Sequence, residues 1–179
     1  MCRRFGLMFL AVALAALIPV VARAATELGE PAPALVVQEL NGETFDLAAL
    51  RGKVVIINFW ATWCPPCRQE MPALDAFYRR YHADGLEMIG LAANRTHERS
   101  DVARVMESFS YPAAMLRDCK SNGFSDPTEI PITYIVDAQG VVRAKLTPEE
   151  TPITEQSLAQ ALLPLLPKQT QPRGSAPGN

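Results

Sequence analysis

A chain of 179 residues with 49% apolar content is the size of one ordinary domain and can fill a single buried core. Its net charge is −2, and without Arg3, Arg4 and Arg23 the balance becomes 14 basic against 19 acidic residues, or −5. That balance argues against a nucleic-acid partner, and no internal repeat is evident.

Met1 to Ala24 reads as a secretory leader, with Arg3 and Arg4 as its positive start, Leu7 to Val21 as its apolar stretch and Ala22-Arg23-Ala24 as a small-x-small cleavage site. Cleavage after Ala24 makes the mature chain a periplasmic or otherwise exported protein. The alternative, an uncleaved membrane anchor, has only about 15 apolar residues interrupted by Pro19, short of the roughly 20 that span a bilayer. Cys2 lies ahead of the apolar stretch and is lost with the leader. Export places any remaining thiols where disulfides persist and reducing equivalents must be supplied.

Residues 25–167 are expected to form the folded domain, with an extended entry over Thr26 to Pro33. Leu35 to Glu39 and Thr44 to Asp46 read as short strands around Asn41-Gly42, a dipeptide whose tolerance of positive φ suits a hairpin. A helical turn over Leu47 to Arg51 ends at Gly52. The apolar run from Val54 to Phe59, broken only by Asn58, predicts a buried strand.

That strand leads into Trp60-Ala61-Thr62-Trp63-Cys64-Pro65-Pro66-Cys67-Arg68-Gln69-Glu70, which opens a helix. Met71, Leu74, Phe77, Tyr78 and Tyr81 recur at three- and four-residue steps and mark its buried face. Pro72 removes one backbone bond to Arg68 and predicts a kink. The helix should stop near Asp84-Gly85, before a second buried strand over Leu86 to Ala92.

Asn94 to Ser110 is polar and then amphipathic, Tyr111 to Leu116 suggests another strand, and Asp118 to Thr128 reads as a loop. Ile132 to Val136 and Val141 to Lys145 predict a hairpin across Asp137-Ala138-Gln139-Gly140. Thr154 to Leu166 is the closing helix, with a late break at Pro164. Residues 168–179, rich in Pro, Gly, Gln and Ser, predict a disordered tail.

Cys64 and Cys67 fall where a strand becomes a helix. Free N–H groups and the positive end of the macrodipole favour an anion there, lowering the first thiol pKa of a Cys-x-x-Cys from about 8.5 toward roughly 3.5–7.5. Pro65 and Pro66 suit a first turn that leaves their missing N–H groups unneeded. A zinc site would need four ligands, and this chain offers no second Cys-x-x-Cys and no closely paired histidines. A purely structural disulfide over so short a loop would remove little unfolded-state entropy. The remaining reading is a redox dithiol. Cys64, earlier at the helix start and expected to face solvent, is the candidate nucleophile, and Cys67, inside the first turn, the candidate resolving thiol.

The string Phe59-Trp60-Ala61-Thr62-Trp63-Cys64-Pro65-Pro66-Cys67 resembles the active-site segment of thioredoxin-like proteins, in particular the exported TlpA/ResA/CcmG-type branch. The resemblance runs from about Leu28 to Leu166. It implies an α/β, thioredoxin-like fold: a central mixed sheet flanked by helices, with an N-terminal β-hairpin and a central helix-strand insertion spanning the region from Asn94 to Leu116. It also implies a redox-active Cys64–Cys67 disulfide and a cis proline at Pro131, in Glu129-Ile130-Pro131-Ile132-Thr133, facing the dithiol. A peptide could pair with the backbone of Ile130 there in the manner of an added strand. Trp63, Pro65, Pro66, Ile130 and Pro131 are then the substrate-binding candidates, with packing as the alternative role of Trp63.

From spacing alone Glu70 is either a base one helical turn beyond Cys67 or a solvated acid near a helix start. The resemblance favours the base, because ResA- and CcmG-type reductases carry a functional glutamate at this offset. Asn58 occupies the strand position where cytosolic thioredoxin has a buried aspartate, and asparagine cannot take a proton there. Cys119 is expected to be a free or partly buried thiol, and His82 and His97 to be surface residues.

These features predict an exported thiol:disulfide reductase whose partners are a disulfide-bearing protein and a membrane thiol-electron donor. Apocytochrome c and copper-site cysteines are family precedents for the substrate. No cofactor and no metal are implied, and a monomer is expected. Two alternatives stay open: a disulfide oxidase, since the same dithiol runs either way with potential, and a Cu(I)-handling module using both thiols as soft ligands. A peroxidase is disfavoured by Ala61, where the related peroxidases usually have threonine.

Overall fold

The computed structural model describes residues 26–124 and 126–167. The leader at 1–24, Cys2 and the tail at 168–179 lie outside the described residues. Among the described residues no helix is long and apolar enough to cross a membrane.

Seven strands form one mixed sheet flanked by helices: β1 Leu35–Glu39, β2 Thr44–Asp46, β3 Val54–Trp60, β4 Leu86–Ala92, β5 Ala113–Asn122, β6 Ile132–Val136 and β7 Val142–Leu146, in the order β2-β1-β5-β4-β3-β6-β7. The β3–β4 and β4–β5 pairs are parallel and the remaining pairs antiparallel. The helices are α1 Pro65–Tyr81, α2 Arg99–Met106 and α3 Glu155–Leu162.

β3 lies near the middle and is buried at all seven positions, as a continuous apolar run dictates for a strand covered on both faces. Val54, Ile56 and Trp60 pack with the buried residues of α1, α2 and α3. Val55, Ile57 and Phe59 pack on the opposite face with Leu47 of a 3₁₀ turn, Phe124 and Tyr134. The alternation places Asn58 on the helix side, where its Nδ2 donates to Thr133 Oγ1 on the paired strand at 2.8 Å.

α1 continues through Pro72 and passes at His82–Asp84 into a 3₁₀ turn, ended by Gly85 at φ +93°, the left-handed conformation that glycine adopts readily. Several boundaries differ from the sequence expectation: β3 runs on to Trp60, β5 begins at Ala113 rather than Tyr111, and β7 spans Val142–Leu146 rather than Val141 to Lys145. β5 runs on to Asn122 through polar residues with a loop-like pattern, because β1 supplies an antiparallel partner: Val37 faces Cys119 and Val36 faces Ser121. α2 starts only at Arg99, after a separate 3₁₀ turn over Thr96–Glu98. α3 ends at Leu162, with Pro164 two residues beyond lacking the N–H a further turn would use.

Candidate active site

β3 and β4 both end at the same rim of the sheet, and the chain leaves β3 through Ala61-Thr62-Trp63 to reach α1. The Cys64 N–H donates to the Ala61 carbonyl at 3.1 Å and closes a tight turn, leaving Cys64 as the helix N-cap at φ −98°, ψ 101°. Its Sγ accepts from the Cys67 N–H at 3.3 Å. The Arg68 N–H donates to the Cys64 carbonyl at 3.2 Å. A sulfur in the N-cap position thus takes the place usually held by a serine or aspartate oxygen, where an orphan N–H and the helix dipole favour a negative charge. Cys64 and Cys67 are joined as a disulfide with Cα atoms 5.4 Å apart.

The Ile130–Pro131 peptide is cis, as the resemblance implies, and the Ile130 carbonyl lies 3.8 Å from Cys64 Sγ. This loop explains a departure from expectation. Cys64 is only 4% exposed, against 2% for Cys67, so the first sulfur does not stand open to solvent. Pro131 is buried, Ile130 half-buried, and Pro65 and Pro66 are exposed beside the dithiol. Trp63 is 61% exposed, which removes core packing as its role.

Glu70 is buried, so it is not the solvated acid that spacing alone allows. The Ile153 N–H donates to its Oε1 at 3.4 Å, while Oε2 is buried with no hydrogen-bond partner among the described residues. Burial pushes its carboxyl above the ordinary range, and the Ile153 bond offsets only part of that. A carboxyl held this way on the turn after Cys67 can take up or release a proton at higher pH than a surface glutamate.

Cys119 is free and half-buried in β5. Burial first, then the nearby carboxylates of Asp126 and Asp118, push its thiol up to about 11. His82 and His97 are exposed. Among the described residues no group of three or more His, Cys, Asp or Glu side chains is placed to hold a metal ion.

Two contacts at the rim are missed by the sequence reading. One is the Ile153 N–H, which comes from a loop 83 residues after Glu70. The other is Asn94, fully buried just past β4, whose Oδ1 accepts from the Thr62 N–H at 3.0 Å and whose Nδ2 donates to Thr62 Oγ1 at 2.7 Å. For Asn94 the available signal is a polar residue two positions past the end of a buried parallel strand; for the Ile153 N–H there is none.

The model of the AhpC/TSA family matches residues 28–145. A thiol-disulfide oxidoreductase ResA of Bacillus cereus is 32% identical over 138 residues, covering 77% of this chain and 80% of that protein. The ResA protein of Bacillus thuringiensis (strain Al Hakam) is 33% identical over 125 residues, covering 70% of this chain and 72% of its own. Among solved structures, a thiol:disulfide interchange protein of the thioredoxin family from Chlorobium tepidum TLS is 31% identical with a TM-score of 0.61, covering 76% of this chain and 99% of that one.

Proposed function

Because the chain belongs to the AhpC/TSA family and is a thiol-disulfide oxidoreductase of the ResA type, we propose that it acts outside the cytoplasm as a reductase of protein disulfides. The observation that carries this reading is the Cys64–Cys67 pair at the start of α1, opposed by the cis Ile130–Pro131 loop.

In this mechanism the reduced Cys64 attacks one sulfur of a substrate disulfide as a thiolate, held by the Cys67 N–H. The Cys64–substrate bond forms, the substrate S–S bond breaks, and the second substrate sulfur leaves as a thiolate. Cys67 then loses its proton, attacks Cys64 Sγ and expels the first substrate sulfur. Two electrons have passed to the substrate, and the dithiol is left as the observed disulfide. Glu70 is the group assigned to accept the Cys67 proton, since it lies one helical turn beyond Cys67 and burial raises its proton affinity above that of a surface glutamate. Trp63, Pro65 and Pro66 form the exposed rim that meets the substrate, and Ile130 and Pro131 the edge along which its backbone lies. A membrane thiol carrier returns the electrons.

The leader-like segment at 1–24 supports a periplasmic location, and the resemblance to the TlpA/ResA/CcmG-type branch suggests specific proteins, such as apocytochrome c or a copper-site protein, as its substrates. Ala61 and the Cys-x-x-Cys spacing argue against a peroxidase. The deciding experiment is the reduction potential of the protein in defined glutathione or dithiothreitol buffers, with Cys64→Ser as the control. A value at or below about −270 mV is expected of a reductase, and one near about −120 mV would make it an oxidase.

A further inference from the structure

Asn94 is a fully buried polar side chain whose hydrogen bonds go to neither cysteine, yet both ends of its amide are committed to one residue two positions before Cys64. Asn94 Oδ1 accepts from the Thr62 backbone N–H, and Asn94 Nδ2 donates a hydrogen bond to the Thr62 hydroxyl oxygen. Two bonds to one residue fix its position and its rotation together. The Ala93 N–H, one residue earlier, donates to the Trp60 carbonyl at 2.8 Å, so the clamp extends the β3–β4 ladder past the end of both strands.

Thr62 lies inside the turn closed by the Cys64 N–H and the Ala61 carbonyl. The conformation of that turn sets where Cys64 Sγ sits against the Cys67 N–H. We propose that Asn94 is a positioning residue for the dithiol, acting through Thr62 to hold Cys64 in the N-cap geometry that stabilises its thiolate. This rests on the reading that Cys64 is the attacking thiol.

The proposal has a signature that loss of stability alone would not produce. If the clamp favours the thiolate, breaking it raises the pKa of Cys64. Below that pKa less thiolate is present, but a more basic thiolate is also more nucleophilic. With a Brønsted coefficient of about 0.5, each unit of rise makes reaction about threefold slower at low pH and about threefold faster at high pH. The two rate–pH curves therefore cross.

The test uses the reduced full chain and iodoacetamide, a neutral probe, with alkylation of the Cys64 peptide followed by mass spectrometry from pH 5 to 10. Asn94→Ala removes the clamp. Thr62→Val keeps the shape and the N–H but deletes the oxygen that accepts from Nδ2, and Thr62→Ser keeps that oxygen. Asn94→Ala and Thr62→Val should move the midpoint upward and cross the unsubstituted curve, whereas Thr62→Ser should follow it. Midpoints unchanged in Thr62→Val and Asn94→Ala, whatever their melting temperatures, would overturn the proposal, as would rates lowered equally at every pH. If Asn94→Ala does not fold, the Val and Ser variants of Thr62 decide between these outcomes. If Cys64 in the unsubstituted protein is alkylated no faster than Cys67, the assignment of the attacking thiol has failed instead.

Discussion

The Ile153 backbone N–H, at 3.4 Å from Glu70 Oε1, is the only hydrogen bond made by the Glu70 carboxyl group among the described residues. A buried carboxyl with one oxygen unpartnered is costly to ionise, and that cost gives it a raised proton affinity. The folded state therefore holds the Glu70 proton more tightly than the unfolded chain does. Stability from this group is present at low pH and falls as pH rises from 4.5 through the raised folded value.

Glu70→Gln removes that fall. Its unfolding free energy from urea titration should match that of the unsubstituted protein near pH 4 and exceed it at pH 8, by about 0.5–1 kcal/mol. Resolution of the mixed disulfide should slow by about a hundredfold, the scale of a lost general base, as measured by stopped-flow decay of a trapped substrate adduct. A variant with unchanged resolution kinetics would remove Glu70 from the mechanism.

Cys119 should be inert while the dithiol reacts. With its thiol pushed up to about 11, only about one part in ten thousand is thiolate at pH 7. Peptide mapping after brief alkylation of the reduced protein should find Cys64 modified and Cys119 untouched, and Cys119→Ala should leave the reduction potential in place. Rapid labelling of Cys119 would refute the half-buried placement.

Trp63 should separate binding from folding. At 61% exposure, its replacement by alanine should change stability by less than about 0.5 kcal/mol. Reduction of a folded protein disulfide should nevertheless slow by about tenfold, the scale of an interface aromatic, while a small disulfide such as oxidised dithiothreitol reacts at its former rate. Equal losses with both substrates would assign Trp63 to the chemistry rather than to the contact.

Asp75 ties α1 to the segment entering β5. It is buried, accepts from the Ser110 N–H at 2.6 Å and the Ser110 hydroxyl at 2.8 Å, and pairs with Arg79 at 3.3 Å. Asp75→Ala should cost about 2–3 kcal/mol in denaturant unfolding, since the lost bonds are to a charged acceptor. A cost below about 0.5 kcal/mol would show that the loop rearranges freely.

The elements most legible from sequence are those whose apolar pattern and turn chemistry agree. Leu35–Glu39, Thr44–Asp46, Leu86–Ala92 and Ile132–Val136 have the expected ends, each set by a recognisable polar or glycine-bearing connection. β5 is longer than its sequence pattern suggests because Arg117, Asp118 and Lys120 look like loop residues. Only the partner strand, far away in sequence, turns such residues into sheet. The two cysteines and Pro131 could be placed from their motif. The hydrogen bond from Ile153 to Glu70 and the amide clamp of Asn94 on Thr62 could not, because each joins segments whose separation says nothing of their proximity. The near-equal burial of Cys64 and Cys67 likewise depends on a loop more than 60 residues downstream.

The two halves of the catalytic rim differ in how they are anchored. Cys64 follows a strand buried along its whole length and bonded on both sides, while Ile130 belongs to a loop carrying exposed Thr128 and Glu129. In deuterated water the amides of β3 should exchange only through global unfolding, and those around Ile130 through small local openings. Such openings would uncover a sulfur that is almost covered at rest and leave the cysteine-bearing side in place. Substitutions in the loop are then expected to change how fast a folded protein disulfide is reduced while leaving the reaction with a small disulfide as it is.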